Sequence, residues 1–222
     1  MKVTLMGATG MVGQGALREC LGNPAVESVL TLGRSITGTK HPKLLELAHA
    51  DLFDLGPISD QLAGYDACFF CLGTGSTGMS EDDYRRINYE LPLSVATSLI
   101  QQNRAMTFAY ISGAGAGENK RTMWARVKGR TEKELLALPF KGAYMLRIGY
   151  VQPGRGIKSR SMGTRVMYAL LAPVYPLLKL IFRESVTSTE EVGKAMIAVA
   201  QQGYEQSLMS NRDINKAARR LA

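Results

Sequence analysis

Two periods of apolar residues alternate along the chain. Short, mainly apolar runs at Lys2-Val3-Thr4-Leu5-Met6, Val29-Leu30-Thr31-Leu32, Leu44 to Ala48, Ala67-Cys68-Phe69-Phe70-Cys71, Met106 to Ile111 and Ala143 to Ile148 have the length of strands. The fourth is apolar throughout, as a parallel strand covered on both faces requires. Helical stretches separate the runs. One carries Met11, Val12, Ala16, Leu17, Cys20 and Leu21 and stops at Gly22-Asn23-Pro24. Another opens at Ser80-Glu81-Asp82-Asp83 and runs through Asn88 toward Asn103, with Pro92 breaking or restarting it. A third runs from about Thr122 to Leu138, a fourth from Ser188-Thr189-Glu190-Glu191 to about Gln202, and Asn211 caps a short last one. Strands alternating with helices predict an α/β fold: a Rossmann-like doubly wound parallel sheet with helices on both faces and a small C-terminal lobe. Residues 1–222 read as a single domain, with 150–185 as the lobe or flap.

The strand exits are rich in glycine. Gly7-Ala8-Thr9-Gly10-Met11-Val12-Gly13 follows the first strand and opens the first helix. Gly7 suits a tight turn, Gly10 lets backbone N–H groups approach a pyrophosphate, and Gly13 allows close helix–strand packing. This predicts dinucleotide binding; the alternative is a tight β–α turn with no ligand. The second strand ends at Gly33-Arg34-Ser35. A carboxylate there would accept from the adenosine ribose hydroxyls of NAD, whereas Arg34 and Ser35 can donate to a 2′-phosphate, which favours NADP(H) over NAD(H) unless Arg34 is a solvated surface residue. Asp51-Leu52 falls at the adenine edge, although Asp51 could equally cap the next short helix. Cys71-Leu72-Gly73-Thr74 would floor the cofactor, the fifth strand exits at Ser112, and the sixth at Gly149-Tyr150. Trp124 and Lys128 lie one helical turn apart, so both can be directed at one point beside those exits.

Composition narrows the partners. The net charge of +8 implies anionic company, but no basic patch interleaved with aromatics points to nucleic acid. Cys20, Cys68 and Cys71 read as reduced packing residues, and with the first strand starting at Lys2 and no apolar leader ahead of it the expectation is a cytoplasmic protein. His41 and His49 lack partners at metal-ligand spacing, so no metal is assigned. Arg155, Lys158, Arg160 and Arg165 precede an apolar run from Val166 to Phe182 that Pro173, Pro176 and Lys179 interrupt too often for a bilayer span. Residues 155–182 are expected to form a basic, apolar flap able to dock on an anionic membrane surface or a second subunit, a pattern that plain core packing also produces.

With these residues placed, the chain resembles the atypical branch of the short-chain dehydrogenase/reductase superfamily, with its epimerase-like and Tat-interacting-protein-like reductases. The resemblance rests on Gly7 to Gly13, Arg34, Cys71-Leu72-Gly73-Thr74, Lys128 and Arg147-Ile148-Gly149. It implies that Lys128 holds the nicotinamide ribose hydroxyls and that Ser112 lies beside a substrate carbonyl. It also implies a proton-donating tyrosine four residues before the lysine, where this chain has Trp124. Indole is no acid near neutral pH, so Tyr150, at the same sheet edge, becomes the candidate donor, the alternative being a surface tyrosine packed on Pro153. The expected function is an NADP(H)-dependent oxidoreductase or epimerase acting on a small molecule; the alternative is a non-catalytic NADP(H)-dependent regulator or scaffold.

Overall fold

The computed structural model describes residues 1–154, 156–157 and 186–221. Six of its strands are β1 (Lys2–Met6), β2 (Ser28–Gly33), β3 (Leu44–Ala48), β4 (Ala67–Phe70), β5 (Thr107–Gly113) and β6 (Gly142–Ile148). Then come β7 (Tyr150–Gln152), β8 (Val186–Ser188) and β9 (Leu208–Met209). The main sheet is parallel, in the order β3-β2-β1-β4-β5-β6-β9. This is the doubly wound arrangement that the alternation of runs predicts. Because side chains alternate across a strand, each strand feeds two cores. Val3, Leu5, Phe69, Ala109 and Leu146 pack beneath α1 (Met11–Gly22) on one face. Met6, Leu32, Phe70, Phe108 and Met145 pack on the other face, with Val95 and Leu99 of the long crossover helix.

That crossover is three pieces. It is α2 (Glu81–Arg85), a π-helical turn (Arg86–Glu90) and α3 (Leu91–Gln102). Ser80 caps it, accepting from the Asp83 N–H. Pro92 does restart the helix, but the irregularity lies just ahead of it: the Leu91 N–H reaches back to the Arg86 carbonyl, and Pro92, having no N–H, leaves the Asn88 carbonyl without its usual helical donor. Two side chains take that place, Tyr110 Oη at 3.1 Å and Thr131 Oγ1 at 2.8 Å.

Several expectations need correction. β5 extends through Ser112 and Gly113, because β6 pairs with it to the end, Ser112 opposite Arg147 and Gly113 opposite Ile148. Tyr150 is not in a loop but begins β7, which pairs with β8 in a separate two-stranded sheet. Asp51 does not cap the 3₁₀ turn at Gly56–Leu62; its Oδ1 accepts from the Phe53 N–H at 2.9 Å. α4 (Met123–Ala137) and α5 (Thr189–Gln202) stand where expected, α5 with a complete capping box of Ser188 and Glu191. α6 (Asn211–Arg219) is capped by Ser210, not Asn211, because Ser210 and Asp213 complete both reciprocal bonds. Asn211 Oδ1 instead accepts from the Gly149 N–H at 3.2 Å. The flap expected over 155–182 lies, apart from Gly156 and Ile157, outside the described residues. Among the described residues no helix is long and apolar enough to cross a membrane.

Candidate cofactor and active site

The strand order reverses between β1 and β4, and the turn after β1 sits at that switch point. Gly7 adopts φ +76°, and a Cβ on it would stand 2.7 Å from the backbone of Cys71 and Leu72. A Cβ on Gly13 would stand 2.1 Å from the Gly7 carbonyl oxygen, so both positions need glycine, the first for its φ and for contact with the β4 exit, the second for contact between α1 and the turn. Gly10 caps α1 with no side-chain acceptor, and the first turn of α1 carries no acid. The positive end of the helix is thereby left to an anion.

A cleft of about 990 Å³ runs from this turn along the strand exits. Gly7, Ala8, Thr9 and Gly10, Arg34 and Ser35, Asp51 and Leu52, and Cys71, Leu72, Gly73 and Thr74 all line it, which brings the predicted cofactor residues together. Met11, Val12 and Gly13 are not on its wall: Met11 and Val12 pack against the core. The loop beyond Ser35 is fixed by Glu46, whose carboxylate accepts from the Thr37 and Gly38 N–H groups at 2.6 and 3.3 Å. Phe53, Arg86 and Ile87 complete the wall beside Asp51, a contribution that the sequence alone did not suggest.

Lys128 turns inward. Its Nζ donates to Tyr110 Oη at 2.7 Å and to the Ile111 carbonyl at 3.1 Å, and it lies 4.5 Å from the Tyr110 ring centroid. The Tyr110 hydroxyl spends its own proton on the Asn88 carbonyl. Burial pulls the Lys128 ammonium down to about 7, opposed in part by the Glu132 carboxylate. Burial holds the Tyr110 hydroxyl well above its usual range, so it stays neutral. Glu132, 3% exposed, is gripped by Arg147 through Nε–Oε1 at 3.0 Å and Nη2–Oε2 at 2.6 Å.

Two buried polar atoms here, Ser112 Oγ and Asn88 Oδ1, have no hydrogen-bond partner among the described residues. Beside Gly73, a point one Cβ bond from the backbone lies 3.1 Å from Asn88 Oδ1 and 3.8 Å from Lys128 Nζ. An acceptor and a donor thus face one small space at the β4 exit, which suits a hydroxyl. Asn88 was not singled out in the sequence; the signal for it was Pro92, four residues on, which frees the Asn88 carbonyl. Trp124 and Lys128 both lie beside the end of β5, Lys128 on the Ile111 carbonyl. The Trp124 indole lies over the end of the strand, 2.9 Å from where a Gly113 Cβ would be. The Tyr150 hydroxyl donates to Gln152 Oε1 at 2.7 Å within β7, and Tyr150 does not line the cleft.

No protein-family model matches the chain. Among solved structures it is similar to a UDP-glucose 4-epimerase (TM-score 0.69, 17% identity, 99% of this chain and 82% of that one). It is also similar to MoeE5 in complex with UDP-glucuronic acid and NAD (0.68, 16%, 94% and 75%). A third is a short-chain dehydrogenase/reductase of Saccharomyces cerevisiae (0.64, 12%, 96% of each chain). These likenesses show the fold, a Rossmann-like α/β sheet, and are consistent with the resemblance read from the glycine turn and Lys128. Curated relatives are the mitochondrial protein FMP52-2 of Scheffersomyces stipitis (28% identical over 170 residues, 75% of this chain and 72% of that one) and the mitochondrial protein FMP52 of Meyerozyma guilliermondii (24% over 240 residues, 99% and 96%). That these relatives are named mitochondrial overturns the cytoplasmic location expected from the sequence. Reduced cysteines and an early first strand do not tell one reducing compartment from another.

Proposed function

We propose that this protein is an NADP(H)-dependent oxidoreductase or epimerase, with the dinucleotide lying across the exits of β1, β2 and β4. The observation that carries the proposal is the Gly7–Gly10 turn sharing one cleft with Arg34 and Ser35. The NAD held by MoeE5, which has this fold, supports a nicotinamide cofactor. The guanidinium at the end of β2, where a carboxylate would repel a 2′-phosphate, supports NADP(H).

The residues fit the group: the turn packs so tightly that only backbone faces the anion, and Asn88 Oδ1 is a buried acceptor awaiting a hydroxyl. The first turn of α1 and Gly7 to Gly10 hold the pyrophosphate, Asp51 and Leu52 border the adenine, and Cys71 to Thr74 form the floor. Lys128 with Asn88 holds ribose hydroxyls. The bound cofactor supplies hydride transfer at the nicotinamide. Ser112 orients the substrate oxygen, and the proton comes from Lys128, whose acidity lies near neutrality; the Tyr150 hydroxyl, bonded to Gln152 away from the cleft, is not placed to supply it. Tyr110 is unsuited, being buried, neutral and committed to Asn88. A second reading, a cofactor-dependent regulator without turnover, is favoured by Trp124, since indole cannot donate the proton.

Calorimetric titration of NADPH and NADH tests the cofactor. Arg34→Ala is expected to cost roughly ten- to a hundredfold in NADPH affinity and nothing in NADH affinity, and equal wild-type affinities overturn the choice of NADP(H). Trp124→Tyr is expected to raise NADPH-dependent reduction of a panel of aldehydes, quinones and nucleotide sugars by about 10²–10⁴-fold. No turnover in either wild type or the variant, together with intact binding, selects the regulator.

A further inference from the structure

We propose that Arg86 and Phe53 form a stacking platform for the adenine base, so that the cleft divides its work: Arg34 reads the 2′-phosphate and the Arg86–Phe53 pair holds the purine. The inference rests on the NADP(H) reading for its ligand and concerns the far end of the same cleft. The Arg86 guanidinium lies 5.1 Å from the Phe53 ring centroid, and both line the cleft beside Asp51 and Leu52.

Arg86 is available for this. Among the described residues it makes no ion pair, whereas its neighbour Arg85 is held by Glu90 at 3.0 Å and Asp82 at 4.0 Å. The two acids on the cleft wall are already engaged. Asp83 Oδ2 accepts from Ser80 Oγ at 2.6 Å, and Asp51 Oδ1 accepts from the Phe53 N–H. Phe53 is anchored as well, since its carbonyl accepts from Ser94 Oγ of α3 at 2.7 Å. The π-helical turn starts at Arg86, so the guanidinium rises from a backbone that packing fixes.

A planar cation laid on an aromatic ring presents a flat, polarisable surface that stacks on a purine whatever its ribose carries. A phosphate ligand would instead discriminate between nucleotides with and without the 2′-phosphate. That difference makes the two roles separable.

The test is calorimetric titration of the full chain with 5′-AMP, 2′,5′-ADP and nicotinamide mononucleotide. Arg86→Ala is expected to weaken 5′-AMP and 2′,5′-ADP by the same factor, about two- to fivefold, with nicotinamide mononucleotide unchanged. Arg86→Lys, which keeps the charge and loses the plane, is expected to recover little, and Phe53→Leu to act in the same direction. A loss confined to 2′,5′-ADP makes Arg86 a phosphate ligand and overturns the proposal, as does no loss for either nucleotide. Arg34→Ala in the same titrations separates the two readings. If wild type does not prefer 2′,5′-ADP to 5′-AMP, the NADP(H) reading fails while an Arg86 effect on 5′-AMP still stands.

Discussion

Along the carboxyl edge of the sheet, the exits of β1 and β4 offer glycines and backbone N–H groups, while α4 and the end of β5 offer buried side chains. On the first side Gly7 and Gly10 shape an open cleft, and its arginines, Arg34 and Arg86, are exposed and make no ion pair among the described residues. On the second side Lys128, Tyr110 and Asn88 form one hydrogen-bonded chain and Glu132 and Arg147 an ion pair beside it, and only Arg147 keeps appreciable exposure. The difference shows how one edge can bind and react. Binding an anion requires donors free to meet it, and a helix end provides them without a buried charge. Holding a lysine near neutrality requires taking it out of water, and that is stable only where other groups satisfy it.

The contrast is broken most severely at Arg147. Arg147→Met leaves the Glu132 carboxylate buried without its partner and is expected to cost about 3–5 kcal/mol, read as a lower urea midpoint. Adding Glu132→Leu removes the stranded charge and should restore most of the loss. If the single variant is near wild type, Glu132 is better hydrated than the structure implies.

Lys128→Met tests the same side by pH. A lysine whose folded pKa is depressed binds its proton less well folded than unfolded. Its cost to stability is therefore full below about 7 and is relieved as pH rises from there toward the unfolded value. The variant is expected to gain stability relative to wild type, by about 2.6 kcal/mol more at pH 6 than at pH 9, while losing cofactor affinity. A gain independent of pH would mean that Lys128 titrates normally.

The smallest effect on stability is expected on the open side. Arg34→Ala, for all its cost to NADPH binding, should shift unfolding by under about 0.5 kcal/mol, because an exposed side chain without partners leaves nothing unsatisfied. A larger shift would show that Arg34 has a structural role in the loop that Glu46 holds.

Much of the open side was legible in the sequence. The strand runs, Gly7 to Gly13, Arg34 after the second strand and the caps at Ser80 and Ser188 depend on residues within a few positions of one another, and the chain states such relations directly. The buried side was legible only as a list of parts. Lys128 and Trp124 could be placed on one helix face, but that Lys128 would meet Tyr110 and that Trp124 would lie on Gly113 depends on how α4 seats against β5.

The sequence by itself therefore determined the first six strands of the sheet, the switch-point turn and the chemistry available at each exit, because backbone propensity and side-chain period act locally. Only the tertiary structure decided which distant groups meet. Pro92 frees a carbonyl that Tyr110 and Thr131 then fill, Arg147 reaches Glu132 across the β6–α4 packing, and Arg86 settles on Phe53. It also decided that Tyr150 belongs to a second small sheet and that the two residues of β9 extend the first. The physical reason is that a buried polar group must be satisfied by whatever element packs against it, and periodicity shows which face a residue occupies but not what faces it.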